Sequence, residues 1–245
     1  YGRYCKYLRG IPQTQWPCRQ CRGKGCEACK DTGKQYPESV GELVAGPAVD
    51  AALGGDHAFH GAGREDVDAL MLGSGRPFVL EVKRPHIRSL DLCALRAAIN
   101  QAATGKIEVG ELRHVDHKQV EKIKRTKARK SYEARIKLGR EVTQNELDGA
   151  MSRLVGEIGQ KTPQRVLHRR ADLTRRRTLF AIEGEITSSG SASVSLTCDG
   201  GLYVKELISG DDGRTTPSLA ELLETTAVVT ELDVTDVDGP FPDSA

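Results

Sequence analysis

Residues 60 to 78 read HGAGREDVDALMLGSGRPF. Arg64, Glu65, Asp66 and Asp68 fall within five positions, glycines stand on both sides, and the apolar run PFVLEV (77–82) follows. That run, entered from a Gly-rich stretch, predicts a strand. The acidic loop is then delivered to the end of a rigid element, where binding and catalytic groups are commonly held. A carboxylate kept beside an arginine on such a loop is either a turn device or a catalytic group.

The chain has 245 residues, enough for one large domain or for a domain with a small module. No apolar run reaches the roughly 18 residues of a membrane span. There is no secretory signal, and the start at Tyr1 rather than Met predicts a fragment lacking an N-terminal region. Seven cysteines, an odd number, argue against a disulfide framework and for reduced thiols in the cytoplasm. The net charge of +2 hides segregation. Lys118 to Arg140 holds ten Lys/Arg against two Glu, and Lys161 to Arg177 holds seven against one Asp. Glu221 to the end holds seven acidic residues and no basic one. Concentrated basic segments in a near-neutral chain predict a polyanion-binding face; solvated surface helices are the plainer reading.

Helices are expected over 37–53, 89–103, 143–158 and 217–226. Ser39/Glu42, Thr143/Glu146 and Ser218/Glu221 are spaced as capping boxes. Strands are expected over 76–82, 106–115, 130–138, 178–187, 191–199, 202–208 and 227–237, with 54–66 as a loop. In 130–138 the alternation is clear: Tyr132, Ala134, Ile136 and Leu138 share one face. Strands and helices do not alternate strictly, which predicts an α+β fold with a mixed, mainly antiparallel sheet flanked by helices. Residues 1–36 read as a Cys-rich segment and linker, 37–238 as the main domain, and 239–245 as a loose tail.

Cys18-x2-Cys21-x4-Cys26-x2-Cys29 is two thiolate pairs on two tight turns. Four such ligands suit a tetrahedral structural zinc, and an iron–sulfur cluster is the alternative. A closed four-thiolate site holds a small module together and leaves no catalytic position open. Arg19, Arg22, Lys24 and Lys30 would let this knuckle touch RNA.

Two further segments bear on the acidic loop. GGLYVKELISGDDGRTTPS (200–218) places Lys205 on an expected strand, where a fixed cation could pair with a carboxylate and keep it ionised. QKTPQRVLHRRADLTRRR (160–177) offers Arg165, His168, Arg169 and Arg170 as phosphate ligands around a Thr-Pro turn.

These segments, with GAGREDVDALMLGSGRPFVLEV (61–82) and ELDV (231–234), resemble the archaeal and eukaryotic tRNA pseudouridine synthases of the tenth pseudouridine-synthase family. IPQTQWPC (11–18) and the cysteine cluster look like the archaeal branch, and the resemblance runs from about Ile11 to about Val237. It implies a pseudouridine synthase fold in the main domain. It also implies isomerisation of uridine to pseudouridine at positions 54 and 55 of the tRNA T arm, without an organic cofactor and by a monomer. Asp66 matches the family's catalytic Asp, acting as nucleophile or base. Lys205 matches the cation that contacts it, and Tyr132 the active-site Tyr. Val204 and Leu232 match the apolar wall of the base pocket. Arg64, Arg165, His168, Arg169 and Arg170 are then the candidates for binding the substrate's phosphates. Leu70 stands where the family often has Arg. The alternative is a zinc-containing tRNA-binding module in which Asp66 is structural.

Overall fold

The computed structural model describes residues 1–168 and 170–243. The chain forms two compact units, Tyr1–Thr126 with Pro240–Ala245, and Lys127–Gly239. The Cys-rich segment, expected as a region of its own, belongs to the first unit.

In the first unit, β1 (Gly2–Lys6), β2 (Asp56–Gly61), β3 (Leu70–Lys83) and β4 (Ile107–Val109) pair antiparallel. The long β3 pairs with β1 through Met71–Phe78 and with β2 through Phe78–Lys83. Helices α1 (Val40–Ala51), α2 (Leu92–Ala102) and α3 (Lys118–Arg125) complete the unit. Ser39 caps α1 by accepting from the Glu42 amide, as the spacing predicts. Two strands here differ from expectation. β1 lies in the region expected to be a Cys-rich segment and linker, yet Tyr4 and Lys6 are fully buried. β2 runs through the expected loop. Its sequence, DHAFHG, carries little β-branched signal, so only its register against β3 makes it a strand. The expected strand over 106–115 shortens to three residues, Ile107–Val109.

Within the tail expected to be loose, Phe241 and Asp243 are tied down. Phe241 is buried beneath the Arg3 guanidinium, and Asp243 accepts from Arg3 Nε at 2.5 Å and from the Tyr1 hydroxyl. A charged partner and an apolar anchor within three residues supply what its composition did not advertise.

In the second unit, β5 (Arg129–Leu138), β6 (Gly156–Lys161), β7 (Thr174–Ser188), β8 (Ser191–Asp199), β9 (Thr215–Thr216) and β10 (Ala227–Asp238) form an antiparallel run ordered β10-β5-β8-β7-β6-β9. Tyr132 pairs with Leu196 and Val234, and Ala134 with Val194 and Leu232, so apolar side chains line one face. Helices α4 (Gln144–Leu154), α5 (Val204–Ser209) and α6 (Leu219–Leu222) supply the rest of that core, with Leu147, Leu154, Leu207, Ile208 and Leu219 fully buried. The opposite face carries Ser131, Glu133 and Arg135, and one member of it, Arg135, pairs with Glu231 of β10 at 3.6 Å.

The Thr143/Glu146 capping box is present as predicted. α4 then stops at Leu154, because Val155 is extended and Gly156 takes a positive φ of 129°; the expected helical continuation is instead β6. The expected strand over 202–208 is also corrected: it is α5. Its apolar residues 204, 207 and 208 follow i, i+3, i+4 spacing, and Gly210 closes it in a left-handed cap. Lys205 therefore sits in the first turn of a helix, not on a strand.

Leu154→Ala removes a fully buried side chain from the floor of this core and is expected to cost about 2–5 kcal/mol. Urea unfolding of the two proteins checks it; a loss below about 1 kcal/mol would show that the site collapses around the gap.

Candidate active site

The acidic loop is built on a buried polar network. Glu65 is 6% exposed. Its carboxylate accepts from Arg76 Nε at 2.8 Å and from the Tyr4 hydroxyl at 2.9 Å, and Lys6 Nζ stands 4.0 Å away. Arg76, itself 1% exposed, also donates to the Ala62 carbonyl at 2.8 Å. Gln13 donates to the Tyr4 oxygen and to the Gly63 carbonyl, each at 2.9 Å. Burial, and next the Glu65 charge, push the Tyr4 phenol well above its usual range, so it stays protonated and serves as a donor. Burial pulls the Lys6 ammonium below its usual value, with Glu65 opposing that pull. Gly61 packs close to the network: a Cβ there would stand 2.6 Å from Gln13 Nε2 and 3.0 Å from the Gly63 carbonyl, so the Gln13 amide would have to shift. Phe59 and Phe78, stacked at 5.1 Å, close the network from the apolar side, each with its ring near Tyr4.

Asp66 follows Glu65 directly and is half-buried, whereas Arg64 and Asp68 are exposed. Consecutive residues thus divide the work. Glu65 points into the network, and Asp66 begins the turn whose Ala69 amide bonds back to the Asp66 carbonyl at 3.1 Å. Arg64 lies over the Trp16 ring at 5.6 Å. Of the network, only Glu65 was conspicuous in the sequence. Tyr4, Lys6, Gln13 and Arg76 were missed, because their partners are up to 61 positions away and no local pattern marks a buried ion pair.

In the second unit, Val204 is buried in the apolar core, and Tyr132 and Leu232 pack against that core half-exposed. Tyr132 also borders a depression of about 280 Å³ with Ile182, Leu196 and Thr235. Lys205, half-buried, follows Val204 on α5, which packs against β10. The structure thus brings four of the expected residues to one region of this unit. Asp66 and Arg64 belong to the other unit.

The expected phosphate ligands form a looser group. Arg165 donates to the buried Glu206 at 2.6 Å and faces the Tyr203 ring at 6.0 Å; Arg170 donates to the Tyr203 hydroxyl at 2.8 Å. His168 is exposed. Arg169 lies outside the described residues. Elsewhere in this basic segment Arg176 pairs with Glu157 at 2.6 Å, so part of its charge meets carboxylates of the same unit. Exposed pairs of this kind are worth about 0–1 kcal/mol and are readily exchanged for a stronger anion.

The four cysteines converge as their spacing predicts. The Cys18–Cys26, Cys21–Cys29 and Cys26–Cys29 sulfurs are 4.0, 3.8 and 3.7 Å apart, and all four lie within 4.8 Å of one another. A tetrahedral ion with bonds of about 2.3 Å separates its sulfurs by about 3.8 Å. Amides of Gly25, Cys26 and Gly33 donate to these sulfurs at 3.2–3.3 Å, as amides do to metal-bound thiolates. The donor set fits a metal ion.

The family model described as "Pus10, C-terminal" matches residues 1–238. A protein named tRNA pseudouridine synthase Pus10 from Methanothrix thermoacetophila is 58% identical over 98% of this chain and 53% of its own length. Its namesake from Methanocaldococcus jannaschii is 50% identical over 95% of this chain and 51% of its own. The chain spans about half the length of these curated relatives. Among solved structures, the crystal structure of a Cbf5-Nop10-Gar1 complex aligns at TM-score 0.48 and 19% identity, over 80% of this chain and 44% of that one.

Glu65→Gln would leave the Arg76 and Lys6 cations buried without their counter-ion. It is expected to cost about 3–5 kcal/mol, read by chemical denaturation. A loss under about 1 kcal/mol would mean that water reaches the network.

Proposed function

This chain belongs to the family of the Pus10 C-terminal region, and on that premise we propose that it carries the catalytic part of a tRNA pseudouridine synthase, with a pseudouridine synthase fold and Asp66 as its central carboxylate. The observation that carries the reading is the pairing of Glu65 with Asp66. One carboxylate is spent on a buried ion network, and the next begins a half-buried turn on that network. A binding module for an anionic partner has no use for a held carboxylate on its binding face.

The reaction is an isomerisation. The C1′–N1 bond of uridine breaks, the uracil turns, C5 bonds to C1′, the C5 proton is lost to water, and N1 takes up a proton in exchange. Asp66 acts at the ribose or base as nucleophile or base. Lys205 matches the cation that the family resemblance sets beside this carboxylate. Tyr132 stacks on the uracil, while Val204 and Leu232 form the dry side of its slot. The exposed edges that Tyr132 and Leu232 keep beside the buried cluster support this role. The uridine must leave its stack at a cost of a few kcal/mol, offset by phosphate contacts from Arg64, Arg165, His168, Arg169 and Arg170. The substrate is the tRNA T arm, at positions 54 and 55, and the enzyme acts as a cytoplasmic monomer. Cys18, Cys21, Cys26 and Cys29 hold a structural zinc ion, which fixes the turns of residues 17–34 and needs no further cofactor beside it.

Tritium release from a tRNA transcript labelled at uridine C5 tests the assignment. Asp66→Asn is expected to abolish release and leave tRNA affinity within about twofold, since a neutral isostere removes the chemistry and keeps the shape. Equal release from both proteins would sink the catalytic role, and release from neither, in the full-length protein, would favour the RNA-binding module.

Metal analysis of the purified protein is expected to show equimolar zinc, lost in Cys21→Ser. Iron and a visible charge-transfer band would identify a cluster instead.

A further inference from the structure

Lys6 is an ammonium with no solvent exposure at the end of β1. Its Nζ donates to the main-chain carbonyls of Ile11 at 2.9 Å, Val67 at 3.3 Å and Asp66 at 3.4 Å. The same two segments meet once more where the Gly10 amide donates to the Val67 carbonyl at 2.9 Å. A lysine this deep is costly, because desolvating an ammonium takes several kcal/mol even with a carboxylate nearby. Methionine would fill the same volume without that cost. What methionine would not do is hold carbonyls from two separate turns at fixed spacing.

We propose that Lys6 is a positioning residue for Asp66: its buried ammonium ties the Asp66 and Val67 carbonyls to that of Ile11 and so sets the direction in which the Asp66 side chain leaves the loop. The inference rests on the catalytic reading of Asp66. It is independent of the Lys205 pairing, because Lys6 acts on the main chain of residues 66–67 and lies with that loop in one unit. Glu65 balances part of the charge, and Arg76 fixes the other side of the loop through the Ala62 carbonyl. Residues 62–67 are thereby held at both ends by buried cations.

Such a residue changes rate rather than binding. Displacing a reacting group by about 1 Å costs on the order of 100-fold in rate. Lys6→Met and Lys6→Gln in the full-length protein are compared under single-turnover conditions, with enzyme saturating over the tRNA transcript. The amplitude then reports the active fraction, and the rate constant reports the geometry of the folded molecules. Lys6→Met is expected to lower the rate constant about 10–100-fold, with tRNA affinity within about twofold of wild type. Lys6→Gln keeps an N–H donor and is expected to fall between the two. A loss confined to the amplitude, or a wild-type rate constant in the folded fraction, would show a merely structural lysine and overturn the proposal. Should Lys6→Met fail to fold, the rate constant of Lys6→Gln decides by the same criterion. Asp66→Asn run in parallel separates the two readings. If it too keeps the wild-type rate, the catalytic assignment has failed; if it is inactive while both Lys6 variants are fast, only the positioning role has.

Discussion

The buried pairing of Glu65 with Arg76 is the constraint on which the first unit depends. An ion pair at this depth is stable only if nearly every polar atom around it is answered. Tyr4, Gln13 and Lys6 supply the answers, and each arrives from β1 or from the turn after it. The network therefore requires β1 to lie beside β3, which delivers Arg76, and requires residues 61–67 to pass over both. An acidic loop that would otherwise be free to wander becomes one of the more determined backbones in the unit. Pre-organisation of this kind is what a reacting carboxylate needs, since misplacement is costly in rate.

The second unit reaches order by a different route. Its run of antiparallel strands has one apolar face, and α4, α5 and α6 close over that face. Here the physics is mostly area removed from water, and polar devices serve the edges. Thr143 and Glu146 start α4, Ser218 starts α6, and Gln160 ties β6 to α5 through both the amide and the carbonyl of Tyr203. Val204 is buried in this core, and Tyr132 and Leu232 pack against it with an exposed edge.

The cysteine knuckle adds a third kind of order. Residues 17–34 contain little that could be buried, and Gly33 sits so close to Gly23 that a Cβ would stand 2.5 Å from its carbonyl. Four convergent thiols, with amides aimed at them, replace the missing core.

Much of this was legible in the residues themselves. The capping pairs at Ser39, Thr143 and Ser218, the alternation of 130–138 and the spacing of the four cysteines are local patterns, and each carries its structural meaning within a few positions. The Arg-Glu-Asp loop between glycines likewise declared itself as a candidate site. Other features belong to the tertiary structure alone. The register against β3 made a strand of residues 56–61, and packing against β10 made a helix of 204–209, where period-2 and period-3.6 readings of a short apolar run compete. The division of labour between Glu65 and Asp66 was likewise invisible in one dimension. Two adjacent carboxylates have the same local chemistry, and only a buried arginine, tyrosine and lysine brought from other positions draw Glu65 into the core while Asp66 stays half-buried.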